Sequence, residues 1–513
     1  MSRAFVIGCD VGSQGTNAAL YSDDGTLVAS HYEAHDLSYP HPTWAEQDPR
    51  DWLTAIENAV RKLVADVPDP AEIKALSFGS QLDGLVACDE SGDPVRPAII
   101  WMDRRAEPEA AGMRKVVSAR DFYELSGANL DSSHAVFKAL WIRANEPENW
   151  RRIRHLMPPG SYVLRHVSGS LLTDYSNASS LALLDPRTRE WSGRLLEAAE
   201  IDPQSLPGLA AAIDSAGGVT DRFAEATGLH SDTIVAVGCG DEMAATLGAG
   251  VFEPGEVCDV VGTAEPVCAA SARPMFDPTM LVECHPHADP DAWLLENPGF
   301  VSGGNLRWWR DQFAPLERAA EAEGKGDAYE LLSVEARRVP AGAGGVIFLP
   351  CMQGAMAPEW NGAARGTFYG LTLAHTRAHM TKAMLEGSAF ALRDILQAMS
   401  DAGLEPSRLT IVGGGAKSEL WSQIKADVTG LTVRTPASVE TTATGAAMLA
   451  AVAAGIARDV AEATTMFVSY RPEGYEPDDA NRAAYEDAYA LYRQVYGSLR
   501  NVFALSERSA VAL

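Results

Sequence analysis

Basic residues are scarce in this sequence of 513 residues. Lysine and arginine number 42 against 69 aspartate and glutamate residues, which gives a formal net charge of −27 at pH 7, and no basic stretch offsets it locally. Such a charge repels nucleic-acid phosphates and anionic membrane surfaces, so we expect neither as a partner. An anionic ligand would have to be held by backbone N–H groups, a divalent metal ion and a few placed side chains.

Long apolar runs and paired cysteines are also missing. The longest run of small apolar residues, Ala446 to Ile456, is well below the roughly 20 residues of a membrane-spanning helix. The short apolar run at the N-terminus ends at Asp10, which argues against a signal peptide. The seven cysteines are scattered without a C-x-x-C pair, as expected of reduced, buried thiols. These absences predict a soluble, cytoplasmic protein.

The chain is longer than a single hydrophobic core usually organises. Its 46 % hydrophobic and 22 % charged residues are ordinary for a globular protein. We expect two domains, residues 1–252 and 253–513, because the segment FEPGE supplies turn residues near Val251 to Gly255.

Two hairpins with glycine turns are predicted, one at the start of each half. In FVIGCDVGSQGTNAALYSDDG a β-rich run ends at Asp10, and a second run follows a Gly-Ser-Gln turn. The glycine spacing does not fit G-x-G-x-x-G, which excludes a dinucleotide-binding loop. In GEVCDVVGTAEPVCAAS similar runs flank Gly262 and Thr263. Two lobes that each offer a turn to the phosphates of one nucleotide are typical of actin-like ATPases.

Three later segments have clear local patterns. RLTIVGGGAKSELWSQIKADVTG predicts a strand, a turn of three glycines and a helix with Ser418 as its N-cap. Apolar spacing predicts a long buried helix from Thr376 to Asp401. Thr442 to Ala457 is predicted to form an alanine-rich helix.

Two aspartates at glycine-marked turns could carry chemistry. Phosphoryl transfer needs a metal-bound triphosphate, a positioned hydroxyl and a base, which is often a carboxylate. Asp10 precedes Gly12, and Asp241 lies in VAVGCGDEMAATLGAG between a predicted strand and a helix of small residues. Each could instead only cap a turn or a helix. Finding both aspartates in register with the two predicted lobes favours a catalytic role.

The stretch GTFYGLTLAHTRAHMTKAMLE, from Gly366 to Glu386, resembles the long C-terminal signature of the FGGY family of carbohydrate kinases. Shorter matches follow in family order over most of the chain: DVGSQGT, WAEQDP, FGSQLDG, IIWMDRR, TDYSNAS, GCGDE, VGT, GGGAKS and GAAMLA. Over the whole chain, the sequence most resembles bacterial xylulokinases.

This resemblance implies an α/β, two-lobed actin-like ATPase (ribonuclease H-like) fold with the active site in the cleft between the lobes, and it implies ATP and Mg²⁺ as cofactors. It places Asp241 as the catalytic base and Asp10 at the metal ion. The other implied contacts are Gly12, Ser13, Gly262 and Thr263 to phosphates, Gly414, Gly415 and Ala416 to the nucleotide, and Leu82, Asp83, Trp101, Asp241 and Glu242 to the sugar.

Several positions differ from the usual family pattern, among them Asp83, Glu242 and Asn17. Asp83 stands where xylulokinases have histidine, Glu242 follows the base where asparagine or glutamine is usual, and Asn17 replaces a basic residue. An ionised carboxylate can only accept hydrogen bonds, so Asp83 and Glu242 favour a substrate rich in hydroxyl donors, such as a pentitol or tetritol. The alternative is that Asp83 turns away and pairs with Arg104 or Arg105.

We expect ATP-dependent phosphorylation of a hydroxyl group of a small sugar or sugar alcohol, a ketopentose such as D-xylulose or a related polyol. Two alternatives stay open. An actin-like ATPase without a sugar acceptor would share the two hairpins, and a catalytically weak sugar-sensing relative would fit the missing charge at Asn17. Dimers are common among such enzymes, so a homodimer is a further expectation from the resemblance.

Two residue groups invite other interpretations. The stretch from Cys284 to Asp289 resembles a metal-binding cluster, but a proline interrupts its spacing and no second ligand pair accompanies it, so we predict a surface loop. Trp308 and Trp309 could stack on adenine, although adjacent tryptophans at a domain junction more often pack in a core.

Overall fold

The structure, a computed structural model, describes residues 4–510. The strands of the first half are β1 (Phe5–Val11), β2 (Gly15–Ser22), β3 (Leu27–Ala34), β4 (Glu46–Gln47), β5 (Ile73–Ser80), β6 (Val86–Cys88), β7 (Ala98–Ile99), β8 (His155–Met157), β9 (Leu172–Asp174), β10 (Leu184–Asp185), β11 (Glu190–Trp191), β12 (Gly208–Ala210), β13 (Ser215–Gly218), β14 (Ile234–Ala236) and β15 (Cys239–Gly240). The helices of this half are α1 (Pro49–Ala65), α2 (Glu107–Met113), α3 (Ala119–Ser126), α4 (Ala135–Asn145), α5 (Pro147–Arg152), α6 (Pro159–Ser168), α7 (Tyr175–Ser180), α8 (Gly193–Ala199), α9 (Asp221–Thr227) and α10 (Asp241–Gly248).

The second half has fewer strands and longer helices. Its strands are β16 (Glu256–Val260), β17 (Ala264–Ser271), β18 (Glu283–Pro286), β19 (Trp293–Val301), β20 (Ile347–Leu349), β21 (Thr367–Tyr369), β22 (Arg408–Val412) and β23 (Val433–Arg434). Its helices are α11 (Gly303–Phe313), α12 (Pro315–Ala322), α13 (Ala328–Ala336), α14 (Arg377–Asp401), α15 (Glu419–Thr429), α16 (Thr441–Ala453), α17 (Val460–Phe467) and α18 (Asp479–Ala510).

Each half contributes one main sheet, and the two sheets share a strand plan. The first has the order β13-β14-β5-β1-β2-β3, with β15 also paired to β5. The second has the order β18-β19-β17-β16-β22-β23. In each sheet a hairpin, β1 with β2 or β16 with β17, is followed by a further antiparallel strand on one side and a parallel strand on the other. Both predicted hairpins are confirmed.

Helices α10 and α16 lie between the two sheets. α16 belongs to the second half of the sequence but packs on β1, where an added Cβ at Gly8 would lie 1.9 Å from the carbonyl oxygen of Ala443. The helices cross equally closely, because a Cβ at Gly445 would lie 1.9 Å from the carbonyl oxygen of Ala244. A buried cluster joins apolar residues of both sheets to this crossing. The predicted division between residues 252 and 253 stays a prediction.

The later helices agree with the sequence patterns except at one end. Ser418 caps α15, and the long buried helix is α14, as predicted. The alanine-rich helix was predicted to reach Ala457, but α16 ends at Ala453. The reason is Gly455, whose φ of +69° is the left-handed conformation that commonly terminates helices.

The segment from Cys284 to Asp289 is not the surface loop that we predicted. Cys284 and His285 lie in β18, and His287 is also buried. β18 is an edge strand of the second sheet, but the first lobe covers it: the Cys284 N–H donates to the carbonyl oxygen of Gly127 at 2.9 Å. The strand is buried because the first lobe packs over its outer edge, where Gly127 accepts this hydrogen bond.

Two predictions from absences can be compared with the structure. All seven cysteines lie in the described part of the chain and are buried free thiols, as predicted. Within residues 4–510 no helix combines the length and apolar character needed to cross a bilayer.

Candidate active site

Asp241 is the first residue of α10 and follows β15 directly, between the two sheets. The backbone N–H of Gly240 donates to the Ser176 hydroxyl at 2.9 Å, and that hydroxyl donates to Asp174, the N-cap of α7. The motif TDYSNAS therefore holds the turn that presents Asp241. Asp241 is half-buried, and burial together with the charge of Asp10 raises its pKa well above the ordinary value.

The turn after Asp10 is fixed by hydrogen bonds within the first lobe. The Gly12 N–H donates to the carbonyl oxygen of Gly15 at 3.1 Å. The side-chain amide of Gln47 donates to the carbonyl oxygen of Ser13 at 2.8 Å. These bonds leave the side chain of Ser13 outside the network that fixes the turn.

The carboxyl group of Asp10 lies beside the start of α16. Burial and the charge of Glu440 raise its pKa to about 7, and a hydrogen bond with Thr442 acts in the opposite direction. Asn17, which pairs with Asp10 across the hairpin, donates its side-chain N–H to Glu440. The position that lacks the usual basic residue thus contacts an acidic side chain of the other half of the sequence.

Leu82 and Asp83 lie next to the turn that carries Asp241. An added Cβ at Gly240 would lie 2.4 Å from Cδ2 of Leu82, so this side chain packs directly on that turn. Asp83 has a φ of +56°, and its Oδ1 accepts a hydrogen bond from His134 Nδ1 at 3.0 Å. The buried Lys138 donates to the carbonyl oxygen of Asp83 and to a carbonyl of the loop before His134.

The alternative partners that we considered for Asp83 are engaged elsewhere. Arg104 pairs with Asp131, and the buried Arg105 pairs with Asp103 at 2.7 Å. The expectation that Asp83 pairs with either arginine is therefore wrong. A histidine 51 positions away neutralises it instead.

A series of acidic and histidine side chains, mostly buried, lies beside Asp241 and Glu242, and the sequence interpretation missed it. His134 Nε2 lies 3.8 Å from Glu283, His285 Nε2 lies 3.2 Å from Glu283 and 3.7 Å from Glu296, and Glu296 is hydrogen-bonded to Glu242. Burial raises the pKa of Glu242 to about 7 and that of Glu296 well above its ordinary value. Three of these side chains come from β18 and β19 of the other lobe. Only the folded structure therefore brings them next to Glu242.

The glycine turns of the second lobe border a pocket of about 620 Å³. Gly262 and Thr263 line it from the hairpin, and Gly414 and Gly415 line it from the glycine turn. The two turns are joined, because the Gly415 N–H donates to the carbonyl oxygen of Val261 at 3.0 Å. Further lining residues, which the sequence did not indicate, include Leu306, Arg307, Tyr329, Glu330, Ser333, Lys417 and Trp421.

Three of the predicted phosphate and nucleotide contacts, Gly12, Ser13 and Ala416, lie outside the lining of this pocket, and so does the predicted sugar contact Trp101. Gly12 and Ser13 belong to the hairpin of the first lobe, and Ala416 is buried behind the glycine turn. Trp101 lies in the loop after β7 with 47 % of its surface exposed, and no described contact joins it to Asp83.

The adjacent tryptophans are packing residues. Trp309 is buried, donates its indole N–H to the Thr381 hydroxyl at 3.0 Å and contacts the ring of Phe368. Trp308 lies against the rings of Trp309 and Phe313. The packing interpretation of Trp309 is confirmed.

A buried ionic cluster lies between the second hairpin and α15. Lys425 of α15 pairs with Asp259 of β16 and, at 2.9 Å, with Glu265 of β17. Glu265 also accepts a hydrogen bond from Ser302, whose N–H donates to the carbonyl oxygen of Thr263. The cluster therefore holds both strands that flank the predicted phosphate turn.

Comparison with known proteins assigns the chain. The model of the N-terminal domain of the FGGY family of carbohydrate kinases matches residues 5–248, and that of the C-terminal domain matches residues 259–454. The chain belongs to the FGGY family of carbohydrate kinases. Its fold is the two-lobed α/β fold of the actin-like ATPases, as predicted, and as an FGGY kinase it is an ATP-dependent sugar kinase. The alternative of an ATPase without a sugar acceptor is thereby excluded.

Similar FGGY kinases carry different substrate names. The xylulose kinase of Escherichia coli (strain K12) is 30 % identical over 501 residues, which cover 97 % of this chain and 100 % of that protein. The crystal structure of xylulose kinase from Rhodospirillum rubrum is 29 % identical with a TM-score of 0.91 and covers 98 % of this chain and 100 % of that one. The crystal structure of gluconate kinase from Lactobacillus acidophilus is 25 % identical with a TM-score of 0.89 and covers 97 % and 98 %.

Proposed function

We propose that this FGGY kinase phosphorylates a hydroxyl group of a neutral sugar or polyol, a ketopentose such as D-xylulose or a related polyol, with Asp241 as the base. The observation that carries this proposal is the position of Asp241, a half-buried carboxyl group at the start of α10 that lies between the lobes and beside Asp10. A base in phosphoryl transfer needs this combination of enclosure and access to a positioned hydroxyl.

The proposed step moves one proton and one phosphoryl group. A carboxylate oxygen of Asp241 accepts the proton of the substrate hydroxyl while the hydroxyl oxygen attacks the γ-phosphorus of ATP. The bond from the γ-phosphorus to the bridging oxygen breaks, and ADP leaves. Asp241 performs this role only in its ionised form, although burial and Asp10 favour the protonated form.

We propose the vicinity of Asp10 as the Mg²⁺ site. The groups gathered there are oxygen donors of Asp10, Glu440, Thr442 and Asn17, which suit a hard cation. Within residues 4–510 no group of three acidic, histidine or cysteine side chains could hold a metal ion. This fits Mg²⁺ bound by one or two carboxylates and the substrate phosphates. The ion would neutralise negative charge on the phosphates and near the two aspartates.

The pocket between the second hairpin and the glycine turn is the proposed ATP site. Gly262, Thr263, Gly414 and Gly415 line this pocket from two turns, and the backbone of such turns suits phosphate oxygens. The N–H groups of Gly262 and Gly415 already donate to carbonyl oxygens of the second lobe. We propose that Gly12 and Ser13 contact the same phosphates from the other lobe and that Ala416 supports the nucleotide from behind.

The charges around Asp83 favour a neutral acceptor over an aldonate such as gluconate. Carboxyl groups predominate beside the base, and the histidines among them are already paired. A substrate carboxylate would therefore lie among carboxyl groups whose histidine neighbours are already engaged, and burying it there without a cationic partner is costly in a site shielded from water. The residues that form this acidic surrounding are Asp83, Asp241, Glu242, Glu283 and Glu296.

A coupled assay of ADP release tests the function. We expect release that depends on a neutral acceptor when D-xylulose, pentitols, tetritols, glycerol and D-gluconate are compared at fixed ATP and Mg²⁺, with little release on D-gluconate. Activity with D-gluconate alone would overturn the neutral acceptor. Release that no acceptor increases would instead favour a catalytically weak sugar-sensing relative.

A further inference from the structure

His134 connects the sugar side of the first lobe to an acidic strand of the second. It lies immediately before α4 and is 4 % exposed. Its Nδ1 is hydrogen-bonded to Asp83 Oδ1 at 3.0 Å, and its Nε2 faces Glu283 Oε1 of β18 at 3.8 Å. The second distance is too long for a hydrogen bond, and Nε2 is a buried polar atom without a hydrogen-bond partner among the described residues.

The backbone of Asp83 is fixed independently of its side chain. Its φ of +56° is a left-handed conformation that few residues other than glycine adopt, and Lys138 donates to its carbonyl oxygen. The side chain is 25 % exposed. Of its two carboxylate oxygens, only Oδ1 accepts a hydrogen bond from a described residue, so Oδ2 has its full acceptor capacity left.

The surroundings favour a charged imidazole at this position. Burial alone would lower the pKa of His134, but the carboxylates of Asp83 and Glu283 raise it well above its ordinary value. A protonated ring donates from both nitrogens, and the Nδ1–H bond to Asp83 is then charge-assisted. Such a bond holds the carboxylate in one orientation more firmly than a neutral donor would.

We propose that His134 is a positioning residue for acceptor specificity: it holds Oδ1 of Asp83 so that Oδ2 accepts a hydrogen bond from a hydroxyl group of a neutral sugar or polyol. This inference rests on the proposed function, because it assumes that Asp83 lies in the acceptor site. Leu82, the residue before Asp83, packs on the turn that carries Asp241, and Asp83 adds to the charge felt by Glu242. These contacts place the held carboxylate beside the base.

A purely structural role is the competing explanation. His134 could act only as a link between the lobes through Glu283, and its loss would then weaken the fold without changing which acceptor is used. The two roles depend on different ring nitrogens, because Nδ1 serves Asp83 and Nε2 faces Glu283. Two isosteric substitutions can therefore separate them.

The test compares His134→Asn with His134→Gln in the full-length protein. The amide nitrogen of asparagine can take the place of Nδ1, and that of glutamine can take the place of Nε2. We expect His134→Gln to lower kcat/KM for the preferred neutral acceptor roughly 10- to 100-fold, mainly through KM. We expect His134→Asn to retain most of the activity. KM for ATP should stay unchanged in both variants.

The outcomes distinguish this inference from the proposed function. If the wild type shows no ADP release with any neutral acceptor, both fail. If the wild type is active but both variants lose activity equally, or only His134→Asn loses it, the positioning role is overturned.

Should His134→Gln fail to fold, Asp83→Asn carries the test. The carboxamide oxygen of the asparagine can still accept the hydrogen bond from His134. Its NH2 group then stands in the place of Oδ2 and can only donate, so it cannot accept a hydrogen bond from a substrate hydroxyl. The kcat/KM for the preferred neutral acceptor should then fall roughly 10- to 100-fold while KM for ATP stays unchanged, and an unchanged kcat/KM would overturn the inference.

Discussion

Asp10 and Asp241 share one half-buried environment, yet the proposed reaction gives them different roles. Burial raises the pKa of both carboxyl groups. Asp10 lies near the end of β1, and Asp241 directly follows β15. Asp241 opens α10 and lies beside the proposed acceptor side. Asp10 lies at the proposed phosphate hairpin, near Glu440 and Thr442. Two matched substitutions can therefore assign the roles separately.

We expect Asp241→Asn to lower kcat by roughly 10²–10⁴-fold, the range typical of a lost general base. The amide has the size of the carboxyl group, so binding of ATP and of the acceptor should persist, as calorimetry can show. Asp10→Asn is the matched control. It should change the dependence of the rate on Mg²⁺ concentration, whereas Asp241→Asn should not. Near-normal turnover of Asp241→Asn would remove it from the role of base.

Both aspartates could be predicted from the sequence because each stands at a turn marked by glycine, which is a local signal. The partner of Asp83 could not be predicted, since His134 is 51 positions away and carries no motif of its own. The positions of Glu283 and Glu296 could not be predicted for the same reason, because both residues lie on strands of the other lobe that pack beside the proposed base. Local chemistry is readable in a sequence, whereas the pairing of buried charges depends on the fold.

Among the elements, the second hairpin depends on a buried ionic cluster. Lys425 binds one carboxylate on each strand, Asp259 and Glu265, and all three side chains are buried. Burial raises the pKa of both acids, and Lys425 opposes that shift. The hairpin carries Gly262 and Thr263 at its tip. Loss of the cluster would therefore both destabilise the second lobe and alter the geometry of the proposed phosphate turn.

Lys425→Met should therefore destabilise the protein by about 3–5 kcal/mol, because it leaves two buried carboxyl groups without their cation. Denaturant unfolding measures this loss. KM for ATP should rise as well, because the two strands beside Thr263 lose the ion pairs that hold them to α15. Lys382→Met is a suitable control, because Lys382 is a buried lysine of α14 that lies 4.0 Å from Glu386. An equal change of KM for ATP in both variants would contradict the link to the hairpin.

The elements themselves were predictable where their signals are local. Glycine and aspartate turns marked both hairpins, and apolar spacing marked α14. β18 was misassigned because its residues look polar and interrupted by proline, and only the covering first lobe makes them buried. The most specific motif, Gly366 to Glu386, identified the family, but none of its residues lines the nucleotide pocket. It forms β21 and the start of α14, where Glu386 accepts a hydrogen bond from the Gly342 N–H at 3.1 Å.

At the scale of the whole molecule, two regions of contact between the lobes bear on the proposed site. One is the crossing of α10 and α16, where glycines let backbones touch. The other joins the loop at Gly127 to β18. Asp241 belongs to the first meeting place and His134 adjoins the second, through Glu283 of β18. A relative movement of the lobes would therefore change the distance between the base, the acceptor side and the nucleotide pocket.

We expect the lobes to close when both substrates are bound, because a kinase that admits water to the γ-phosphate would hydrolyse ATP without phosphorylating the acceptor. The crossing of α10 and α16 is the expected hinge, since closely packed backbone there leaves little room for sliding. Small-angle scattering measures the change: the radius of gyration should be smaller with D-xylulose and a non-hydrolysable ATP analogue together than for the free protein. Each ligand alone is the control. An unchanged scattering profile, with both ligands shown to be bound, would mean that the observed arrangement of the lobes is already the reactive one.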